Sequence, residues 1–160
     1  MTASLKRNKG SMKLSTKGRY ALRAMIDLAV NSSGDSTVSL SSIAQRQHLS
    51  EAYLEQLAAK LKKSGLVVSS RGAAGGYRLA KPAGEISVGD VLRACEGDIN
   101  LVSCPGITGA EDAKACIGAD ACVSRLVWVR INESVRDTVD HIFLSDLVEE
   151  SRRLAAPASM

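Results

Sequence analysis

Apolar residues recur every three or four positions over the first third of the chain, which is the spacing of one helix face. Within KGRYALRAMIDLAV this spacing predicts a first helix that turns Leu22, Met25 and Ile26 inward. Either Ser15 or Thr16 is placed to cap its N-terminus. The polar segment NSSGDST ends the helix.

Two further helices are predicted on either side of a tight turn. SLSSIAQRQ has the pattern of a short helix, and His48 with Leu49 forms the turn. Ser50 then caps a third helix over EAYLEQLAAKLKKS, which Gly65 ends as a left-handed cap. The predicted buried stripe of this third helix is Leu54, Leu57, Ala58 and Leu61.

After residue 65 the pattern changes from helical to extended. LVVSS is apolar and β-branched, RGAAGG is rich in turn residues, and YRLA is typical of a return strand. Short helices, a tight turn, a basic helix and a β-hairpin together predict a winged helix-turn-helix, a fold that binds DNA.

The second half of the chain predicts a capped helix, a cysteine-rich loop and a long helix. Ser87 and Asp90 have the spacing of a capping box. The long helix, over roughly residues 123–141, has an apolar stripe that a domain this small cannot cover. We therefore expect the helix to pack against its twin in a homodimer. The residues expected in that interface are Leu126, Val127, Trp128, Ile131, Val135 and Val139.

The predicted fold class is mainly α (α+β), a winged helix-turn-helix with a small β-hairpin wing and a long C-terminal dimerisation helix. The expected organisation is a tag or disordered arm (1–11), the winged helix-turn-helix (12–82), a capped helix with the cysteine-rich loop (83–122), the dimerisation helix with a short terminal helix capped by Ser145 (123–150), and a tail (151–160).

The net charge is a modest +4, so charge indicates a function only where basic residues cluster. From Ala52 to Lys81 there are six basic residues, and the one acidic residue is Glu55. For Lys60, Lys62 and Lys63 alone, an ordinary solvated helix face is the commoner explanation. Combined with the wing, the segment predicts a nucleic-acid surface.

Other functional classes find little support in the sequence. No stretch approaches the ~20 apolar residues of a membrane span, and the basic N-terminus lacks the apolar core of a secretory signal. No catalytic constellation is present, so we do not expect an enzyme. The expected location is the cytoplasm, where clustered cysteines are more often metal ligands or redox thiols than disulfides.

Three cysteines are spaced as Cys104-x11-Cys116-x5-Cys122. Thiolates suit iron–sulfur clusters, zinc and Cu(I), but the close cysteine pair that is usual for zinc does not occur. An iron–sulfur cluster is the favoured interpretation; a thiol redox switch, a zinc site and no ligand role are the alternatives. Cys95 falls on the apolar face of the fourth helix and is expected to pack in the core.

The motifs MKLSTKGRYALRAMIDLA, YLEQLAAKLKKSGLVVSSRGAAGGYRLAK and the cysteine loop before RLVW resemble the Rrf2 family of winged-helix transcription regulators. The resemblance runs from about Met12 to Glu150. It implies a dimer whose heads bind half-sites of a double-stranded operator and whose cysteines hold a [2Fe–2S] cluster or, less favoured, a [4Fe–4S] cluster. The implied function is a regulator, more often a repressor, that responds to iron–sulfur, iron or redox status.

The resemblance also leaves a cluster-free alternative. Such a repressor would be controlled by thiol oxidation or by a protein partner, for example a cysteine-biosynthesis enzyme; an iron–sulfur assembly protein is another partner to consider. Iron analysis would separate the two interpretations.

The residue roles follow from position within the matched motifs. The glutamate of YLEQL and the wing arginine, which are functional in the family, correspond to Glu55 and Arg71. Glutamate can accept a hydrogen bond from cytosine, and glutamine can pair with adenine. The full set of candidate DNA contacts is Ser50, Ala52, Tyr53, Glu55, Gln56, Lys60, Lys62, Lys63, Arg71, Gly75 and Arg78.

The chain departs from the family pattern at its cysteine site. The first interval is longer than the usual five to seven residues, and Arg125 stands where cluster-binding members carry a histidine ligand. A fourth ligand would have to be a carboxylate, His48, His141, a residue of the partner subunit, or an exogenous thiol or water.

Overall fold

The computed structural model describes residues 15–101, residue 116 and residues 122–156 of the 160-residue chain. Six helices and one two-stranded hairpin lie within this part, which confirms the mainly α fold. They are α1 (Thr16–Asn31), α2 (Leu40–Gln47), α3 (Glu51–Lys63), β1 (Val67–Ser70), β2 (Gly76–Leu79), a 3-10 turn (Ala83–Glu85), α4 (Val88–Glu96), α5 (Val123–Asp140) and α6 (Leu144–Ala155). No helix in the described ranges is both long and apolar enough to cross a membrane.

Contacts divide the chain into two units. One unit comprises Leu14–Ile99 with Arg136–Met160 and contains the helix-turn-helix, the hairpin, α4 and α6. The other comprises Met1–Lys13 with Asn100–Val135 and contains most of α5.

Serine side chains cap several of the helices. Ser15, Ser50 and Ser87 accept hydrogen bonds from backbone N–H groups of the first turns of α1, α3 and α4, as predicted. The predicted Ser145 cap is wrong, because the N-cap of α6 is Phe143, two residues earlier, and the helix begins at Leu144. There the Asp146 carboxylate accepts from the N–H of Phe143 (2.9 Å) and so supplies the N-terminal acceptor.

The core of the larger unit is aliphatic. Met25, Leu54, Ile86, Val91 and Leu144 come from different parts of the chain, and all are fully buried. Each such side chain stabilises the fold by about 1.5–3 kcal/mol relative to an exposed position. Cys95 also belongs to this core, which confirms its predicted packing role.

The wing is tied to the linker between α1 and α2. Val38 exchanges backbone hydrogen bonds with Tyr77 of β2, both of 2.8 Å, and so adds a one-residue third strand to the β1–β2 pair. Gly76 is required here, since a Cβ would lie 2.6 Å from the carbonyl oxygen of Val38. Thr37 Oγ1 also donates to the carbonyl of Ala74 (2.7 Å) at the wing tip.

A buried carboxylate joins α1 to α2. Asp27 accepts hydrogen bonds from the Arg46 guanidinium, including one of 2.6 Å from Nη2, and from Gln47 Nε2 (2.9 Å). Its side chain is 3% exposed, whereas that of Arg46 is 39% exposed. The hydrogen bond to Asp27 raises the pKa of Arg46.

We predict that Arg46→Ala lowers the free energy of unfolding by about 2 kcal/mol, because the buried Asp27 carboxylate loses its cation and several charge-assisted hydrogen bonds. Urea unfolding at fixed protein concentration measures the change. Arg152→Ala, an exposed arginine of α6, is the control and should change stability by less than about 0.5 kcal/mol. Equal effects of the two substitutions would contradict this assignment.

Candidate DNA interface and cysteine site

The N-terminal half of α3 presents one exposed face. Ala52, Glu55 and Gln56 are exposed at helical spacing, while Leu54 and Leu57 on the opposite side are buried. Ser50 is the exposed N-cap residue, whose hydroxyl accepts from the N–H of Tyr53 (3.3 Å). The carboxylate of Glu55 and the amide of Gln56 are therefore free to meet a base edge.

The three lysines at the end of α3 differ in their surroundings. Lys60 Nζ donates to the carbonyl of Cys95 (3.0 Å), and Lys62 Nζ donates to Ser69 Oγ of β1 (2.6 Å). Lys63 is exposed. All three lie in the last turn, where cations stabilise the helix C-terminus.

The wing presents Arg71 at its exposed tip, just after β1. The turn is tight, because a Cβ on Gly75 would lie 2.7 Å from the carbonyl oxygen of Ser70, and Gly72 has a φ of +109°. Arg78 is half-buried within β2. The glycines thus allow the backbone to turn tightly next to the exposed Arg71.

An aromatic and basic cluster on α1 lies beside the start of α3. The rings of Tyr20 and Tyr53 meet edge to face at 5.9 Å, and Arg19 and Arg23 lie 5.8 and 5.6 Å from the centre of the Tyr20 ring. Arg23 Nη2 also donates to the carbonyl of Gln47 (2.6 Å). Sequence reasoning missed this cluster, although basic residues flanking Tyr20 were its signal.

Two of the three predicted cysteine ligands are described, and Cys104 lies outside the described residues. Cys116 and Cys122 are free thiols, each partly exposed. No group of three or more His, Cys, Asp or Glu side chains suited to a metal occurs within 15–101, 116 and 122–156.

Cys122 directly precedes α5, and its surroundings stabilise the thiolate form relative to an ordinary cysteine. Its pKa is lowered chiefly by the Ser124 hydroxyl, 3.1 Å from Sγ, and further by the backbone N–H of Arg125. Thiolates are the form in which cysteine binds metals and iron–sulfur clusters. The chemistry of Cys122 therefore fits a cluster ligand as well as a redox thiol.

The histidines raised as fourth ligands both lie on the surface. His48 is the exposed C-cap of α2, with a φ of +53°. His141 is exposed after the end of α5, and its Nδ1 lies 2.7 Å from the carbonyl oxygen of Asp137.

Asn132 is a buried polar residue on α5 that the sequence analysis did not single out. Its Oδ1 accepts from the N–H of Leu101 (3.0 Å), and the residue is 2% exposed. Leu101 stands three positions before Cys104. Asn132 therefore binds the backbone just before the cysteine-rich segment. In the sequence, the sign of such a role was a polar residue beside the apolar stripe of α5.

The first turns of α5 expose a large apolar surface. Val123, Leu126 and Val127 are 79%, 66% and 52% exposed, and Val123 was not among the predicted interface residues. The other predicted interface positions, Trp128, Ile131, Val135 and Val139, are half-buried.

A short helix pair, a third helix with an exposed polar face and a β-hairpin wing define the winged-helix class of DNA-binding proteins. The Rrf2 family, described as "Iron-dependent Transcriptional regulator", matches residues 14–150. The chain belongs to this family, whose members are transcription regulators and not enzymes.

Curated relatives and solved structures agree with this assignment. The transcriptional regulators IscR of Cronobacter sakazakii and Klebsiella pneumoniae are 40% and 41% identical over 143 residues, which is 89% of this chain and 84% and 83% of theirs. The structure of T. potens IscR is 39% identical with a TM-score of 0.72, covering 92% of this chain and 93% of that one. CymR, the global cysteine regulator of B. subtilis, is 43% identical with a TM-score of 0.69, covering 86% and 97%.

In the metal-free, reduced protein we predict that iodoacetamide modifies Cys122 well before Cys95. The lowered pKa of Cys122 enlarges its thiolate fraction at neutral pH, whereas burial raises the pKa of Cys95. Timed alkylation followed by peptide mass spectrometry measures both rates across pH.

Ser124→Ala is the matched control for this prediction, because it removes the hydrogen bond that chiefly lowers the pKa of Cys122. The alkylation midpoint of Cys122 should move to higher pH in this variant. An unchanged midpoint would show that the hydroxyl does not set the reactivity of the thiol.

Proposed function

We propose that this protein is a cytoplasmic, homodimeric repressor that senses iron–sulfur, iron or redox status through an iron–sulfur cluster on Cys104, Cys116 and Cys122. The single observation that carries the sensor is the placement of Cys122 at the start of α5, where its Sγ lies 3.1 Å from the Ser124 hydroxyl, a contact that lowers the pKa of the thiol. Membership in a family described as iron-dependent, with IscR among its relatives, supports the same function.

The DNA-reading surface is built on α3 and the wing. In this proposal α3 enters the major groove, where Glu55 and Gln56 reach base edges, and Arg71 at the wing tip reaches the minor groove. The supporting positions around these residues are Ser50, Ala52, Tyr53 and Gly75. Candidate phosphate contacts are Lys60, Lys62, Lys63 and Arg78, joined by Arg19 and Arg23 of α1.

The homodimer is proposed to form through the apolar face of α5. Three large aliphatic side chains in its first turns are more than half exposed, which is costly for an isolated chain in water. Packing two copies of this face together would cover them and would place two winged-helix heads on the half-sites of one operator. The proposed interface continues along the same helix through Trp128, Ile131, Val135 and Val139.

The sensor is proposed to act through the start of α5. A bound cluster supplies iron–thiolate bonds that are sensitive to iron supply and oxidation, with a [2Fe–2S] form favoured over [4Fe–4S]. Cys122 is continuous with the first turn of α5, so anything that holds its sulfur also fixes that turn. Asn132 holds the entry to the cysteine segment against the same helix. Gain or loss of the ligand would then shift the population between two arrangements of this segment.

A cluster-free switch is the second candidate. The lowered pKa of Cys122 and the free thiol of Cys116 also suit oxidation of cysteine thiols by a peroxide. One solved relative is Staphylococcus aureus CymR in its oxidized form, 41% identical with a TM-score of 0.67. In this version, thiol oxidation or a protein partner such as a cysteine-biosynthesis enzyme would control the same DNA-binding head.

We predict that Arg71→Ala weakens binding to a DNA duplex selected by the wild-type protein by at least about tenfold, because it removes the wing's minor-groove contact. Fluorescence anisotropy measures the affinity. Lys81→Ala, an exposed basic residue after β2, is the control and should lose less than about threefold. Equal affinities of wild type and Arg71→Ala would remove the wing from the proposed interface.

Protein purified without oxygen is predicted to be brown, with absorption between roughly 320 and 460 nm and with bound iron and acid-labile sulfide. Cys116→Ala should lose the colour and the sulfide, whereas Cys95→Ala should keep both, because Cys95 is a core residue. A wild-type protein that stays colourless after reconstitution would favour the thiol switch.

A further inference from the structure

The last turn of α4 holds two helices of the DNA-binding head. The carbonyl of Cys95 accepts a hydrogen bond from Lys60 Nζ of α3 (3.0 Å). The carboxylate of the next residue, Glu96, accepts from the backbone N–H groups of Gly18 (2.8 Å) and Ser15 (3.3 Å) at the start of α1. The adjacent residues Cys95 and Glu96 of α4 therefore form hydrogen bonds with both α3 and α1.

Glu96 supplies the negative charge that the first turn of α1 lacks in its own sequence. The first turn of α1 contains no acidic residue, although the unpaired N–H groups and the dipole of a helix N-terminus favour a negative charge. The position is built for close approach, because a Cβ on Gly18 would overlap the Glu96 carboxylate and would lie 2.9 Å from Leu92 Cδ2. The glycine thus lets the carboxylate reach the backbone of α1.

The other end of α4 is fixed to the end of α5. The N–H of Val88 donates to the carbonyl of Ile142 (2.8 Å), and Arg93 is paired with Asp140, the last residue of α5. A Cβ on Gly89 would overlap the Asp140 carboxylate, so a side chain at position 89 would displace it. Through α4, the end of the long helix is therefore connected to α1 and α3 by hydrogen bonds and ion pairs.

We infer that Lys60 and Glu96 are positioning residues for DNA recognition, through which the last turn of α4 sets the placement of α3. This inference rests on the proposed role of α3 as the helix that reads DNA. It gives Lys60 a different role from that of a phosphate contact, because its ammonium group donates to the Cys95 carbonyl of α4.

The salt dependence of binding separates a positioning lysine from a phosphate contact. Loss of a phosphate contact reduces the slope of log K against log [salt] by about one, because one fewer counterion is released. Loss of a positioning residue lowers affinity at every salt concentration and leaves the slope unchanged.

The test compares Lys60→Met with Lys63→Met, two lysines of the same helix turn, on a duplex selected by the full-length wild-type protein. We expect Lys60→Met to lose at least about tenfold in affinity with the wild-type slope, and Lys63→Met to show the slope reduced by about one. A reduced slope for Lys60→Met, or unchanged affinity, overturns the inference.

Glu96→Ala and Glu96→Gln test the second residue. Glu96→Ala should weaken binding to the selected duplex more than binding to a scrambled duplex, because a misplaced α3 loses base contacts while phosphate contacts persist. Glu96→Gln keeps an acceptor for the N–H of Gly18 and should recover part of the preference. Equal losses of affinity on both duplexes would indicate general destabilisation and overturn the role of Glu96. If Glu96→Ala fails to fold, the same comparison is made with Glu96→Gln and Lys60→Met.

Failure of the proposed function gives a different result. If the wild type selects no duplex, or if Glu55→Ala leaves affinity unchanged, α3 is not the reading helix and both proposals fail. If the wild type binds and Glu55→Ala weakens it while Lys60→Met has no effect, the inference alone fails.

Discussion

The close approach of α4 to α1 is the constraint on which the rest of this structure depends. It depends on glycine at position 18, because a side chain there would displace the Glu96 carboxylate that accepts from the start of α1. A second glycine, Gly89, lets the Asp140 carboxylate approach the other end of the same helix. With both contacts made, α4 can bury Val91 and Cys95 in the core shared with the helix-turn-helix.

The distribution of charge follows from this arrangement. Asp27, Glu96 and Asp140 are all engaged in ion pairs or hydrogen bonds within the fold, where each joins two helices. Basic residues outnumber acidic ones six to one from Ala52 to Lys81, the segment that contains most of α3 and the wing. Clustered positive charge of this kind steers a protein toward DNA.

Local patterns in the sequence were sufficient for the elements of the winged helix, because helix period, serine caps and turn glycines act over a few residues. Ser50 and the Ser87–Asp90 capping box were predictable for this reason. The bond from Gly18 to Glu96 spans 78 positions and leaves no local signal. The ring contact of Tyr20 with Tyr53 also joins distant segments. Ser145 was misassigned because Asp146 supplied the acceptor at the start of α6.

We propose that the state of the cysteine site changes DNA binding. The affinity for a selected duplex should be measured with one anaerobic, iron-loaded preparation, before and after treatment with a chelator that removes the iron. We expect the two affinities to differ by at least about tenfold, or about 1.4 kcal/mol. Equal affinities, with the iron shown to be gone, would contradict it.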